Sequence, residues 1–297
     1  MHVLLCVEAD ARVDGLRRLL RSLARQRFTR GPEPGVSVVV VDASPGALAE
    51  RAVAELREAL RWPVEYVAEP AADLGRRKVV ALALGCGADC VAFLDADAAP
   101  SPDWLEELLV AQSRHQADVV AGPVVPRYAD AVPMWVRRGG FFESPRRRTG
   151  EPVPLVRPSN VLVMREVLAA AAGGASWPAA ARRDTGRHAE GLRVVWADQA
   201  VVETVVDSER ATARWILRRA FQERMPALPP HAVVLGRHSV PPSAARALVR
   251  MAEGGFLLSV AVFLGRAGIM HALCRLSRGA GELTAALRGS TRPREPA

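Results

Sequence analysis

The sequence is short of several things, and each shortage removes an explanation. It has four cysteines, Cys6, Cys86, Cys90 and Cys274. Cys86 and Cys90 lie close together, but no second pair and no histidine stands at zinc spacing. Neither a disulfide framework nor a structural zinc is expected, and buried or half-buried thiols suit a reducing compartment. The first apolar run, "HVLLCV" at 2–7, is short and has no basic leader, so no secretory signal is expected there. No uncharged apolar run reaches the roughly 18 residues that a channel-forming span needs. The Gly-x-Gly-x-x-Gly loop is missing after the first strand, which disfavours NAD, and there is no Walker lysine motif. "CVEADARVDG" also lacks the Gly-rich basic loop of a sugar nucleotidyltransferase. An Asp-x-Asp-x-Thr phosphatase is rejected because Ala99 stands where the threonine is required.

What is present is a chain able to bury a core. It has 297 residues, 49% of them hydrophobic, and a mean hydropathy of +0.06. The net charge is +8 and the cations are almost wholly Arg, which suits anionic partners such as nucleotides, phosphorylated lipids or an acidic membrane surface. No nucleic-acid recognition module accompanies the charge, so nucleic acid is not an expected partner.

The first half alternates between strand and helix patterns. Strands are expected at 2–7, 36–42, 64–68, 90–95 and 117–124, and helices at 15–26, 45–60 and 76–87. Ser101 is expected to cap a further helix, with Pro102 at its first position and Asp103 in its first turn. This order predicts an α/β fold with a mostly parallel sheet, which binds ligands at the carboxyl ends of its strands. Asp10, Asp42 and Asp95 stand at or just past such ends. Residues 126–158, with Trp135, Phe141 and Phe142, form a long Pro- and Arg-rich connection that reads as a binding loop or lid. The aromatics there suit stacking on a sugar or acceptor ring and core packing about equally. Beyond it, 160–172 reads as strand then helix, 192–196 and 200–206 as strands, and 209–224 as a basic helix. The apolar stretch 254–276 is broken by Arg266 and His271, so a buried or interfacial helix is expected rather than a spanning one.

"VAFLDADAAPSPDWL" at 91–105 carries the clearest chemical signal. Side chains two apart on an extended segment point the same way, so Asp95 and Asp97 are expected to converge. Two carboxylates so placed repel, and a divalent cation offsets that cost. Mg²⁺ or Mn²⁺ takes one or two carboxylates and completes its shell with phosphate oxygens and water. The alternative is an Asp-rich loop that only caps the next helix. Asp42 ends "VVVVD", where an acidic acceptor suits a nucleobase or ribose.

Taken in order, "LRRLLRSLARQ", "VVVVDAS", "GRRKVVALA", "VAFLDADAAPSPDWLEELL", "ADVVAGPVVPRY" with "PMWV", "PSNVLVMREVL" and "GLRVVWADQAVVETVVDSERATARWILRRAFQ" resemble the family 2 glycosyltransferases, over about residues 2–224. The bacterial branch that glycosylates polysaccharide, lipid-linked or natural-product acceptors is the most similar. The resemblance implies a GT-A fold and an inverting, metal-assisted, non-processive transfer from a nucleotide-diphosphate sugar, UDP-sugar being the commonest. It implies a donor site of Asp10, Asp42, Lys78, Asp95 and Asp97, with Asp95 and Asp97 holding Mn²⁺ or Mg²⁺. Asn160 corresponds to the family's polar residue beside the acceptor, and Trp135 is assigned to the same side. The family's acidic pair after one or two glycines is replaced by "GGASWPAAARRDTGRHAEG" at 173–191, where Asp184 is taken as the base and Glu190 is the weaker candidate. Ala43 and Lys78-Val79 replace the family's Asn and Arg-Asn. A catalytically degenerate relative that binds a nucleotide sugar or acts as a scaffold is therefore the alternative.

The expected organisation is a GT-A domain at 1–224, with a nucleotide-sugar half at 1–124 and an acceptor half at 125–224. A helical, membrane-associating extension at 225–287 and a disordered tail at 288–297 follow. The acceptor is a glycan, a lipid-linked glycan or a small molecule. The expected location is the cytoplasm, with peripheral contact at the inner face of the membrane.

Overall fold

The β-branched runs of the first half form strands because such side chains pack well on a pleated surface. In the computed structural model, residues 1–9, 13–42, 44, 48–69, 72–144, 146–153, 159–172, 192–222, 244–261 and 265–290 are described. In chain order these give β1 (His2–Ala9), α1 (Val13–Leu23), β2 (Gly35–Asp42), α2 (Leu48–Leu56), β3 (Val64–Ala68), α3 (Ala72–Gly85), β4 (Cys90–Asp95), β5 (Ala98–Pro100), α4 (Trp104–His115), β6 (Val119–Ala121) and β7 (Val124–Tyr128). They continue with α5 (Met134–Gly139), β8 (Asn160–Met164), α6 (Arg165–Ala172), β9 (Val194–Trp196), β10 (Val202–Val206), α7 (Ala213–Gln222), α8 (Ala244–Ala261) and α9 (Gly265–Ser290).

The described residues fall into two compact units. The first comprises Met1–Pro126 and Ser144–Thr204, and the second Arg127–Glu143 with the described residues from Val205 onward. In the first unit a seven-stranded sheet has the order β3-β2-β1-β4-β8-β6-β9. β3, β2, β1 and β4 run parallel, while β8 is antiparallel to both β4 and β6. A three-stranded sheet has the order β5-β10-β7. The chain builds outward from β1 through β2 to β3 and then returns to lay β4 on the other side of β1. That reversal puts a topological switch point at the carboxyl ends of β1 and β4, where open α/β sheets hold ligands.

One face of the large sheet packs Leu16, Leu19, Leu20 and Leu23 of α1 together with Trp104, Leu105 and Leu108 of α4. The other packs Val79 and Ala83 of α3 with Val167 and Leu168 of α6. In the second unit Val136, Phe142, Val206, Ile216 and Met270 form a separate core.

Several local expectations change. Ser101 does not cap α4: the helix starts at Trp104, whose N–H donates to the Ser101 carbonyl at 3.0 Å, and Asp103 makes no side-chain cap bond. The cap is supplied from afar by buried Gln26, whose Oε1 accepts from the Leu105 N–H at 3.1 Å while its Nε2 donates to the Ser101 carbonyl at 2.7 Å. A side chain already held in the core offers this orphan amide an acceptor, while the Ser101 hydroxyl lies buried without a hydrogen-bond partner among the described residues. The single strand expected at 117–124 is two, β6 and β7, interrupted at Gly122-Pro123. The apolar stretch 254–276 belongs to two helices, with α8 ending at Ala261 and α9 beginning at Gly265. Among the described residues, no helix is long and apolar enough to cross a membrane.

Candidate functional site

Strand register fixes the backbone of the site. Ala9 of β1 is level with Asp42 of β2, and Glu8 is level with Asp95 of β4. Parallel partners share a face and successive residues alternate, so Asp42 leaves the sheet on the α1 face and Asp95 on the α3 face, beside Glu8. The carboxylates therefore gather at one edge of the sheet without stacking on one side of it. Glu8 adds an acid that the sequence reading missed. Its signal was there, because an acid closing "LLCVE" sits at a ligand-bearing strand end.

Asp42 is almost completely buried, at 1% exposure. Its Oδ1 accepts from the Ser44 N–H at 2.9 Å and the Ser44 hydroxyl at 2.5 Å, and its Oδ2 accepts from the Tyr66 hydroxyl at 3.0 Å. These donors hold the carboxylate in one orientation and solvate its charge in place of water. Tyr66 is a second residue the sequence reading passed over. It was legible as the aromatic in "VEYVA", whose alternation puts it on the same face as Asp42.

Burial, and then the hydrogen bond to Asp42, pushes the Tyr66 phenol up to about 12. Burial also raises Tyr128. These are the only two tyrosines. A raised phenol favours the folded state below its ordinary value of 10.0, and that stabilisation is lost as pH rises through about 12. Spectrophotometric titration is thus expected to find less phenolate at about pH 10 in the folded protein than after denaturation, with Tyr66 ionising only as pH approaches about 12. Half of the phenolate signal appearing at that pH in folded protein would contradict the buried Tyr66–Asp42 bond.

Asp95 closes β4 half-buried, whereas Asp97 is 6% exposed. Residues 96 and 97 form a turn between β4 and β5, so the extended geometry expected to align the two carboxylates is not what joins them. Helix α1 comes close at this turn. A Cβ on Gly15 would lie 3.0 Å from the Asp97 Cα and 3.2 Å from the Ala96 carbonyl. Glycine there lets α1 press against the turn and fix the backbone that carries Asp97.

Lys78 lies on α3, and its side chain is outside the described residues, as are Asp10, Asp184 and Glu190. Among the described residues, no three His, Cys, Asp or Glu side chains gather as a metal cage. The donor chemistry of Asp95 and Asp97 nevertheless fits Mg²⁺ or Mn²⁺, because both are hard carboxylates at a ligand-binding strand end and one is buried. Such ions ask for only one or two carboxylates when phosphate oxygens complete the shell.

Asn160 begins β8 at 1% exposure. Its Oδ1 accepts from the Trp104 indole N–H at 2.8 Å, and its Nδ2 donates to the carbonyls of Pro123 at 2.9 Å and Ala200 at 2.8 Å. Both amide hydrogens are committed within the protein, so this side chain ties α4, the 122–123 break and the 197–200 turn together. Gly122 leaves the room it needs, since a Cβ there would lie 2.6 Å from Asn160 Nδ2. Trp135 belongs to the second unit, half-buried and edge-on to Phe141 at 5.8 Å. Phe142 stacks on Trp215 at 5.4 Å, and Arg219 lies over both rings. These aromatics pack on one another.

Residues 9–170 match the family described as "Glycosyl transferase family 2". The succinoglycan biosynthesis protein ExoM of Rhizobium meliloti (strain 1021) is 30% identical over 217 residues, covering 70% of this chain and 68% of ExoM. A mannosyltransferase from Pyrobaculum calidifontis, solved in complex with GDP-Man and Mn²⁺, superposes with a TM-score of 0.55 at 18% identity, over 97% of this chain and 87% of that one. The α/β architecture is thus of the GT-A kind. Residues 1–349 of S. aureus TarS, solved with UDP-GlcNAc, superpose with a TM-score of 0.48 at 16% identity, over 99% of this chain and 93% of that one. The chain spans 55% of the longer TarS structure.

Proposed function

Because the chain belongs to glycosyltransferase family 2 and is a glycosyltransferase, we propose that it moves a sugar, with inversion, from a nucleotide-diphosphate donor to a hydroxyl of a glycan, lipid-linked or small-molecule acceptor. The observation that carries this reading is the set of acids at the carboxyl ends of β1, β2 and β4, above all the buried and oriented Asp42 and the buried Asp97.

In this reading Asp42, aimed by Ser44 and Tyr66, accepts an N–H of the nucleobase or a ribose hydroxyl, with Asp10 beside it. Lys78 supplies a cation to the diphosphate. Asp95 and Asp97 would hold Mn²⁺ or Mg²⁺, and the ion when bound offsets the negative charge of the departing diphosphate. The acceptor oxygen attacks the anomeric carbon opposite the diphosphate. The bond from that carbon to the phosphate oxygen breaks, and the hydroxyl proton passes to a carboxylate, for which Asp184 is the nearest candidate in 173–191. Asn160 serves the acceptor side by holding the 122–123 and 197–200 segments in place rather than by reaching the acceptor. Trp135 is the ring proposed to stack on a sugar or acceptor. UDP-sugar is the donor favoured by the resemblance, and the ExoM relationship favours a polysaccharide pathway. In this reading the enzyme works in the cytoplasm, with peripheral contact at the inner face of the membrane.

Titration calorimetry with a panel of nucleoside diphosphates, with Mn²⁺ and again with chelator, tests the donor site. One base is expected to bind only when metal is present. Absence of binding for every member of the panel would sink the proposal.

A further inference from the structure

The charge of the chain is segregated between its two units. Among the described residues the first unit carries 18 Arg and Lys against 21 Asp and Glu, and the second carries 13 Arg against 6 Asp and Glu. Helices α8 and α9 alone contain six Arg and two Glu. Both glutamates are already paired, Glu253 with Arg275 at 3.2 Å and Glu282 with Arg250 at 3.1 Å. Arg266 is exposed at the start of α9.

The same hairpin presents an apolar face to solvent. Leu248, Val249 and Phe256 of α8 are 57%, 56% and 72% exposed. At 100° per residue these positions, together with exposed Ala252, Gly255 and Ser259, fall on one arc of the helix. Buried Ala247 and Gly254 fall on the opposite side. Isolated exposed apolar residues are ordinary, but three large ones on one helical arc are not. The arc bears a single acid, Glu253 at its margin, and that acid is neutralised by Arg275.

We infer that this face of α8 docks on an anionic phospholipid surface, with Leu248, Val249 and Phe256 entering the boundary between headgroups and acyl chains and the surplus arginines of the second unit facing the lipid charge. An apolar stripe on a unit with a surplus of arginine is the pattern of a helix lying in a membrane interface, where burial and charge attraction add. A neutral protein partner would make no use of the charge surplus. The inference rests on the peripheral placement proposed above and is independent of the transfer chemistry. It assigns the contact to α8, whereas the hydropathy of the sequence centred it on 254–276.

The test is co-sedimentation of the full chain with phosphatidylcholine vesicles, with and without phosphatidylglycerol, at low and high salt. Binding is expected only with phosphatidylglycerol, weakening with salt. The combined Leu248→Ser, Val249→Ser, Phe256→Ser variant is expected to bind roughly tenfold or more weakly, and Arg266→Glu to weaken binding less. Nucleoside-diphosphate binding by calorimetry should match wild type in both variants, which separates loss of docking from loss of fold or of the donor site. Equal binding to neutral vesicles, or none to anionic ones, would overturn the inference. So would a wild-type dimer that the triple variant dissociates with vesicle binding unchanged, because the face would then join two copies of the chain.

Discussion

Asp97→Asn is expected to lower sugar transfer roughly 10²–10³-fold and to abolish the metal dependence of donor binding, while the melting temperature stays near that of wild type. The change keeps the shape of the side chain in a nearly closed position, at 6% exposure, so packing beside Gly15 is preserved. It removes one of the two charges proposed to hold the cation. An amide oxygen is a weaker ligand than a carboxylate, and one remaining acid competes poorly with water for a divalent ion. Asp184→Asn should behave differently, keeping metal-dependent donor binding while losing turnover, because its proposed partner is the acceptor proton. The measurement is calorimetric donor binding beside a transfer assay at saturating donor. Unchanged metal-dependent binding in Asp97→Asn would remove the aspartate pair from the site.

Asn160→Ala is expected to cost about 3–5 kcal/mol of stability, because one truncation strands two buried polar groups and takes one of two donors from a third. The Trp104 indole N–H and the Ala200 carbonyl lose the bonds that Asn160 makes to them, the Pro123 carbonyl loses one of its two donors, and Trp104 is 0% exposed. Val202 N–H still reaches the Pro123 oxygen at 3.1 Å, which tempers that part of the loss. Urea unfolding followed by tryptophan fluorescence reads the change directly. A loss below about 1 kcal/mol would mean that water replaces the amide and that the knot holds little.

Under the two proposals, charge is the reason why the two units of the chain would suit different partners. Near-neutral balance in the first unit leaves the proposed recognition of a nucleotide to individually placed groups such as Asp42, oriented by Tyr66. The excess of arginine in the second provides a diffuse attraction that needs no exact register, which is what a lipid surface offers.

The sequence by itself determined the alternation of strands and helices through β4, because valine-rich runs and leucine spacing leave few other ways to bury a core. It also determined that acids stand at the ends of β2 and β4, since "VVVVD" and "VAFLD" stop being apolar at those points. What only the tertiary structure decided is which groups those residues meet. Local spacing predicted a serine cap for α4, but the cap comes from Gln26, 79 residues before the amide it satisfies. A polar residue in an apolar segment gives no sign of which distant orphan group will claim it. Asn160 read as a residue for an acceptor, yet its hydrogen bonds run 37, 40 and 56 residues away and are internal. Likewise the convergence of Asp95 and Asp97 followed from treating 95–97 as extended. The chain turns there instead, because β5 must leave the large sheet to pair with β10. Periodicity is a property of neighbouring residues and survives in one dimension. Hydrogen-bond partners across the core do not, because they depend on which strand ends and helix ends the fold brings together.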